Sequence, residues 1–227
     1  MTRPPVVAID GPAASGKGTL ARRIAAELGF DHLDSGALYR AVALTVLRAG
    51  ASPDDRTAAV GAALALDPAR AAALQADPEI RSDATGSAAS VVSAVPAVRA
   101  ALFDAQRSFA AHPPGGRGAV LDGRDIGTVI CADAPAKLFV TADTEIRARR
   151  RLGELQGRGV AAIFDSVLAD MKERDRRDSQ RATAPMVAAP DAFVLDTSRM
   201  TADEAFAAAM SHVRRALGLR SGFPGGA

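Results

Sequence analysis

Val6-Val7-Ala8-Ile9-Asp10 runs directly into Gly11-Pro12-Ala13-Ala14-Ser15-Gly16-Lys17-Gly18-Thr19, and then into Leu20-Ala-Arg-Arg-Ile-Ala-Ala-Glu-Leu28-Gly29. The first five residues are a short apolar run closed by a carboxylate, the pattern of a strand buried on both faces. Lys17 to Leu28 has helical periodicity and a glycine stop. Between them, two glycines enclose four residues and the second is followed by lysine, the spacing of a phosphate-binding loop, in the strand-to-helix setting that such a loop requires. Glycines let the backbone curl so that successive N–H groups point inward at phosphate oxygens, and the helix start adds its positive dipole end. Lys17 would reach the β- and γ-phosphates. Gly18 stands where a magnesium-touching Ser or Thr is usual, so Thr19, one position later, is the candidate hydroxyl for the metal, directly or through water.

Outward from this stretch, Phe30 to Asp34 reads as a second strand and Ala37 to Arg48 as a helix stopped at Gly50. Asp54 to Ala73 is an Ala-rich helix broken at Pro68, and Gln75 to Ala89, with its Pro, Gly, Ser and Asp, reads as loop or a small irregular insert. Pro96 opens a helix to about Ala111, and His112 to Gly118 is a surface loop. Ala119 to Asp122, Lys137 to Thr141 and Ala192 to Asp196 are three more short apolar strands, with helices at Asp143 to Gln156, Asp165 to Arg181 and Thr201 to Leu217. Alternating strands and helices predict an α/β fold in three layers, a five-stranded parallel sheet covered on both faces. Ligands of such sheets bind beyond the carboxyl ends of the strands, where Asp10-Gly11, Asp34-Ser35 and Asp122-Gly123-Arg124-Asp125 all fall.

With 227 residues, 48% hydrophobic and 24% charged, the chain is expected to fold as one globular domain with at most a small insert and lid. A net charge of only +2 argues against a nucleic-acid polymer as partner. Lysine occurs only at 17, 137 and 172, so 25 of the 28 basic residues are arginine. Coding bias accounts for much of this, and only arginines at special positions count as phosphate-gripping candidates. The single Cys131 cannot form an internal disulfide and excludes a cysteine zinc cluster. No apolar run approaches the roughly 18 residues of a membrane span, and no signal-peptide layout precedes Val7, so a cytoplasmic enzyme without membrane partner, and a monomer, is expected.

Four further constellations concern the acceptor of the phosphate. In Asp34-Ser35-Gly36-Ala-Leu-Tyr39-Arg40 a hydroxyl, a helix N-terminus and an arginine could hold a second phosphate; equally, Asp34 or Ser35 is an N-cap and Tyr39 is core. Asp122-Gly123-Arg124-Asp125 closes an apolar strand, and its first carboxylate could hold magnesium or simply make a turn. On one helix Arg174, Asp178 and Arg181 share a face, though charge-alternating helices are often merely solvated. Ser90, Arg99 and Arg107 lie in and before the helix that Pro96 opens, the two arginines being two turns apart.

Taken in this order, GPAASGKGT, LDSGALYR, Ala-Ala-Ser90 with Pro96-Ala-Val-Arg99, Gln106-Arg107, LDGRDIGTV and KERDRRDSQRATAP resemble the bacterial-type cytidylate kinases, nucleoside monophosphate kinases of the P-loop NTPase fold, from about Val6 to Leu217. The resemblance implies ATP-dependent phosphorylation of CMP, with dCMP a plausible second substrate, and magnesium entering with ATP and no organic prosthetic group. It implies that Gly11 to Thr19, with Arg150 and Arg151, bind ATP, and that Arg147, Arg150 and Arg151 belong to a mobile lid. Ser35, Arg40, Arg124, Arg174 and Asp178 would hold the phosphate and ribose of CMP with Arg181 nearby. Ser90, Arg99 and Asp125 would read the cytosine. Tyr39, Arg107 and Gly123 are counted with the acceptor site, Lys17, Arg124 and Arg174 with the catalytic groups, and Thr19 and Asp122 with the metal. A carboxylate is the matching acceptor for the exocyclic amine of cytosine, and uracil presents an oxygen there instead. The other readings are a kinase for AMP, UMP or shikimate, or an ATP-binding switch without transfer activity.

The expected division is one kinase domain over 1–220, with its core in 1–50, 96–142 and 183–219, an acceptor-binding insert at about 51–95 and a lid at about 147–182. Residues 221–227 are expected to be a disordered tail. Related enzymes carry a small antiparallel sheet within the insert, and here the stretch 67–87 is shortened and Ala-rich, with only Ile80-Arg81 resembling it.

Overall fold

The computed structural model describes residues 3–219, so the expected tail lies outside the described residues. Five strands, β1 (Val6–Asp10), β2 (Asp31–Asp34), β3 (Ala119–Gly123), β4 (Ala136–Thr141) and β5 (Phe193–Asp196), form one sheet in the order β2-β3-β1-β4-β5. Every pairing is parallel. β1 lies at the centre because it is apolar on both sides: Val7 and Ile9 enter one core and Val6 and Ala8 the other. On the first face α1 (Lys17–Leu28) and α9 (Ala202–Ala216) contribute Leu20, Ile24, Met210 and Val213. On the second, α6 (Pro96–Ala111) supplies Ala110 with Phe103 beside it.

The register places the chemistry. Asp10 pairs with Gly123 and with Phe139, and Asp34 pairs with Asp122, so the three polar strand ends anticipated from the sequence meet at one edge. β3 and β4 flank β1 on opposite sides, which makes the end of β1 the crevice of the sheet. A π-helical turn at Ile126–Ile130 follows Asp125, an element that the sequence did not announce.

The region 51–95 follows expectation up to Ala73 and departs from it beyond Gln75. It contains α3 (Arg56–Leu64), α4 (Pro68–Ala76), a 3-10 turn at Pro78–Arg81 and α5 (Asp83–Val92), and no strand. Pro68 opens α4 as the break predicted, but Gln75 to Ala89 is mostly helical, not loop. Asp77 caps the 3-10 turn by accepting from Glu79 N, and Ser82 caps α5 by accepting from Thr85 N. The small residues that suggested a loop are what allow α5 to lie close on α2 (Ser35–Arg48): Ala88, Ala89 and Val92 join Leu38, Val42 and Val46 in one core. Tertiary packing thus outweighs the weak local propensity of Gly86 and Ser87. α7 (Thr144–Gln156) and α8 (Phe164–Gln180) share a smaller core of Ala148, Leu155, Val167 and Met171, against which Ala14 of the phosphate loop also packs.

At Gly11 the backbone adopts φ +148° and passes so close to β4 that an added Cβ would lie 2.0 Å from the Val140 carbonyl oxygen. Gly11→Ala is therefore expected to lose at least about 2 kcal/mol of stability in urea denaturation. An unchanged midpoint would mean that the loop is not held against β4.

Candidate active site

Gly11 to Thr19 wraps the start of α1 as its spacing demands, with Ala14 at φ 56° and Gly16 at φ 91° turning the chain. Lys17 is buried and its ammonium donates to the Pro12 carbonyl at 3.2 Å. The loop is clamped from the far side of the site. Arg147, buried on α7, donates to the Ala13 carbonyl at 3.3 Å and to Asp175 of α8 at 2.7 Å. Thr197 Oγ, just beyond β5, donates to the Ser15 carbonyl at 3.0 Å, and Arg150 donates to Thr197 Oγ at 3.0 Å and to its carbonyl at 2.7 Å. Neither Thr197 nor Asp175 was singled out from sequence. Ser15 Oγ is buried and has no hydrogen-bond partner.

Opposite Lys17, the side chains that were scattered through the sequence converge. Arg124 Nε donates to Asp178 Oδ2 at 3.0 Å, Ser90 Oγ donates to Asp178 Oδ1 at 3.0 Å, and Arg174 lies 3.9 Å from the same carboxylate. Deeper in, Arg99 is paired with Asp125, Arg181 lies 3.5 Å from the other oxygen of Asp125, and the Tyr39 ring sits under the Arg99 guanidinium at 5.5 Å. Asp125, Asp178, Arg99 and Ser90 are all buried. Ser35 Oγ donates to the Asp122 carbonyl at 2.8 Å while Asp34 caps α2, so the plain capping role and the candidate site coexist at this strand end. Gly123 is closely packed, since a Cβ there would lie 2.5 Å from Ser35 Oγ and force it to shift.

The electrostatics single out one region. Burial, then Arg124, bring Lys17 from 10.5 down to about 7. Burial, then Arg124, bring Arg174 down to about 9, and burial, then Arg151, bring Arg40 down to about 10. These cations destabilise one another, which is the field of a site for anions. Burial alone would raise Asp178, but Arg124 and Arg174 outweigh it and hold the carboxyl below its usual range. Asp10 is pushed by burial up to about 6, against the hydrogen bonds that it accepts from the backbone of Gly127 and Ile126. Burial raises the Cys131 thiol to about 11, which makes it inert at neutral pH.

Three of the residues predicted from sequence lie elsewhere. Arg107 turns away from Asp125 and donates to the Ile130 carbonyl at 2.8 Å, near Asp133 on the surface. Thr19 is exposed on α1, and its hydroxyl accepts from Arg22 at 3.3 Å. Arg151 is engaged by Asp83 of α5 and by Glu154 at 2.9 Å, bridging α7 to the insert instead of facing the loop. Arg40 donates to the Ile80 carbonyl at 3.0 Å, with its guanidinium against Gly86, where a Cβ would lie 3.1 Å away. As to the metal, among the described residues no group of three or more His, Cys, Asp or Glu side chains could hold an ion. Asp122 nevertheless fits a hydrated magnesium that enters with a nucleotide. It is buried at the end of β3, His32 Nε2 lies 2.7 Å from its Oδ1, and its Oδ2 faces the loop, where a Cβ on Gly18 would be 3.6 Å away.

A phosphate loop, a facing cluster of cations and the buried Arg99–Asp125–Arg181 group beside it define a phosphotransferase of the P-loop kinase class. The family model described as "Cytidylate kinase" matches residues 7–215. The chain is 61% identical over 205 residues to the cytidylate kinase of Paramagnetospirillum magneticum, covering 90% of this chain and 95% of that protein. It is 60% identical over 206 residues to the cytidylate kinase of Rhodospirillum rubrum, with coverage of 90% and 95%. An uncharacterized protein from Eubacterium ventriosum has a solved structure that matches with a TM-score of 0.53 at 16% identity, covering 93% of this chain and 98% of that one, a likeness of fold alone. The chain belongs to the cytidylate kinase family.

The position of Lys17 gives a proton signature. With its ammonium at about 7 in the nucleotide-free protein, Lys17 is largely neutral at pH 8, and triphosphate beside it restores the charge. ATP binding at pH 8, measured by calorimetry in buffers of different ionisation enthalpy, should take up as much as about one proton, and Lys17→Met should abolish the uptake. Zero uptake by the unmodified protein would contradict this environment for Lys17.

Proposed function

We propose that the chain transfers the γ-phosphoryl group of ATP to CMP, and to dCMP, giving ADP and CDP or dCDP. The observation that carries the choice of acceptor is the buried Arg99–Asp125–Arg181 group beside the cation cluster. Asp125 accepts from the exocyclic amine of cytosine, and Arg99 donates to the ring acceptors. Uracil would set its oxygen against the Asp125 carboxylate, and two buried acceptors repel. Asp178, Arg124, Arg174 and Arg40 then take the ribose and phosphate of the acceptor. An acceptor phosphate is already an anionic nucleophile, so no general base is assigned.

Catalysis on this reading is positioning together with neutralisation of charge on the transferred group. Lys17 and the loop N–H groups hold the β- and γ-phosphates of ATP, and Arg124 and Arg174 approach from the acceptor side. Magnesium bound with ATP would neutralise its phosphate oxygens, and Asp122 would hold the ion through water. Water competes with CMP as nucleophile, so α7 and α8 act as a lid, with Arg147 and Arg150 carrying its movement to the loop. The insert of residues 51–95 forms the acceptor wall. The protein is taken to work as a monomer on free nucleotides in the cytoplasm.

Release of ADP, assayed with each nucleoside monophosphate in turn, should be fastest with CMP and dCMP. A faster reaction with AMP or UMP would refute the acceptor assignment. Lys17→Ala should lower kcat by roughly a thousandfold without loss of fold. Asp125→Ala should reduce the CMP over UMP preference by about ten- to a hundredfold, and an unchanged ratio would remove Asp125 from base reading.

A further inference from the structure

The carboxylate of Asp10 is buried at the end of β1, next in sequence to the phosphate loop, yet both of its oxygens point to the acceptor side. Oδ1 accepts from Ile126 N at 2.8 Å and Oδ2 from Gly127 N at 2.7 Å. These are the first N–H groups of the π-turn Ile126–Ile130, which have no partner within the turn. The residue placed to cap that turn is Asp125, whose carbonyl accepts from Val129 and Ile130 at 2.9 and 3.1 Å but whose side chain makes no cap bond. Aspartate at such a position ordinarily turns its carboxylate back onto the first free N–H groups. Here those groups are taken by a residue 116 positions away, and the Asp125 carboxylate faces Arg99 and Arg181 instead.

We propose that Asp10 is a positioning residue for the acceptor nucleotide: by capping the Ile126 turn from another strand, it releases Asp125 for base recognition and fixes the Arg124-Asp125 pair. This rests on the reading of Asp125 as the group that meets cytosine. The β1 backbone at Asp10 is independently held by pairing with Gly123 on one side and Phe139 on the other, and Gly11 packs on Val140. The start of the phosphate loop therefore does not need the Asp10 carboxylate. Its removal acts on the acceptor side, where Asp125 is free to fold back as its own cap and leave two buried guanidinium groups without their partner.

The test uses the full chain and four proteins: unmodified, Asp10→Asn, Gly127→Ala and Asp125→Ala, each checked by thermal melting. Asn keeps one acceptor but presents an amide N–H to the second backbone donor, so one of the two bonds is lost. Gly127→Ala disturbs the same contact from the other side, because a Cβ there would lie 3.3 Å from Asp10 Oδ2 and 3.4 Å from Lys137 Cδ. In Asp10→Asn the KM for CMP should rise about tenfold and the CMP over UMP preference should fall by a similar factor, with the calorimetric Kd for ATP unchanged within about twofold. Gly127→Ala should move the same quantities in the same direction, and it carries the test if Asp10→Asn fails to fold. Unchanged KM for CMP and unchanged preference in a folded variant would overturn the proposal, as would a Kd for ATP that rises in step with the KM for CMP. If Asp125→Ala keeps the CMP over UMP ratio, the base-reading role falls by itself, and the inference about Asp10 is then decided by the KM for CMP alone.

Discussion

Arg124 is held near enough to Lys17, Arg40 and Arg174 to make it harder for each of the three to stay charged. Most of the architecture exists to keep them there. The parallel sheet brings the ends of β1, β2 and β3 to one edge, α2 presents Arg40, and α8 presents Arg174 and Asp178 from the opposite wall. Nearby carboxylates, Asp34, Asp122 and Asp178, offset the repulsion in part. A group of partly desolvated cations is unfavourable by itself and favourable around phosphate, so the energy held in this arrangement is recovered on binding.

Beyond the pairing of β1 with β3, specific side chains join the donor and acceptor halves. Asp10 ties the strand that carries the phosphate loop to the turn after Asp125, while Arg147 and Thr197 tie the loop to α7, α8 and β5. Each of these bonds ends on a backbone N–H or carbonyl of the loop or turn, except that from Arg147 to the half-buried Asp175 carboxylate. They therefore fix where the main chain runs, and the phosphate-facing groups inherit that placement.

How much of this was readable depends on distance along the chain. The phosphate loop, the five strands and the helices around them were legible because strand, glycine spacing and helix are contiguous. Gln75 to Ala89 reads as loop in the sequence because Gly86 and the small residues near it become helical only where α2 is there to receive them. Arg107 was grouped with Arg99 on helical spacing, but eight residues along α6 mean a displacement of about 12 Å and a rotation of about 80°, enough to carry it from the Asp125 pocket to the Ile130 carbonyl. The Asp10 contact was invisible because its partners lie 116 and 117 residues away and are backbone groups, which leave no mark in a side-chain pattern. The acceptor residues are legible only through the family likeness, since the bare spacing of Ser90, Arg99 and Asp125 does not assemble them.

The central claim is that one continuous cation cluster spans two phosphate sites, one for adenosine and one for cytidine nucleotides. Calorimetric titration with a compound that joins adenosine to cytidine through a polyphosphate chain, compared with its diadenosine counterpart, tests it directly. The mixed compound should bind at least about tenfold more tightly, because both of its bases meet matching pockets while the phosphates occupy the cluster. Equal affinity for the two compounds would contradict the account.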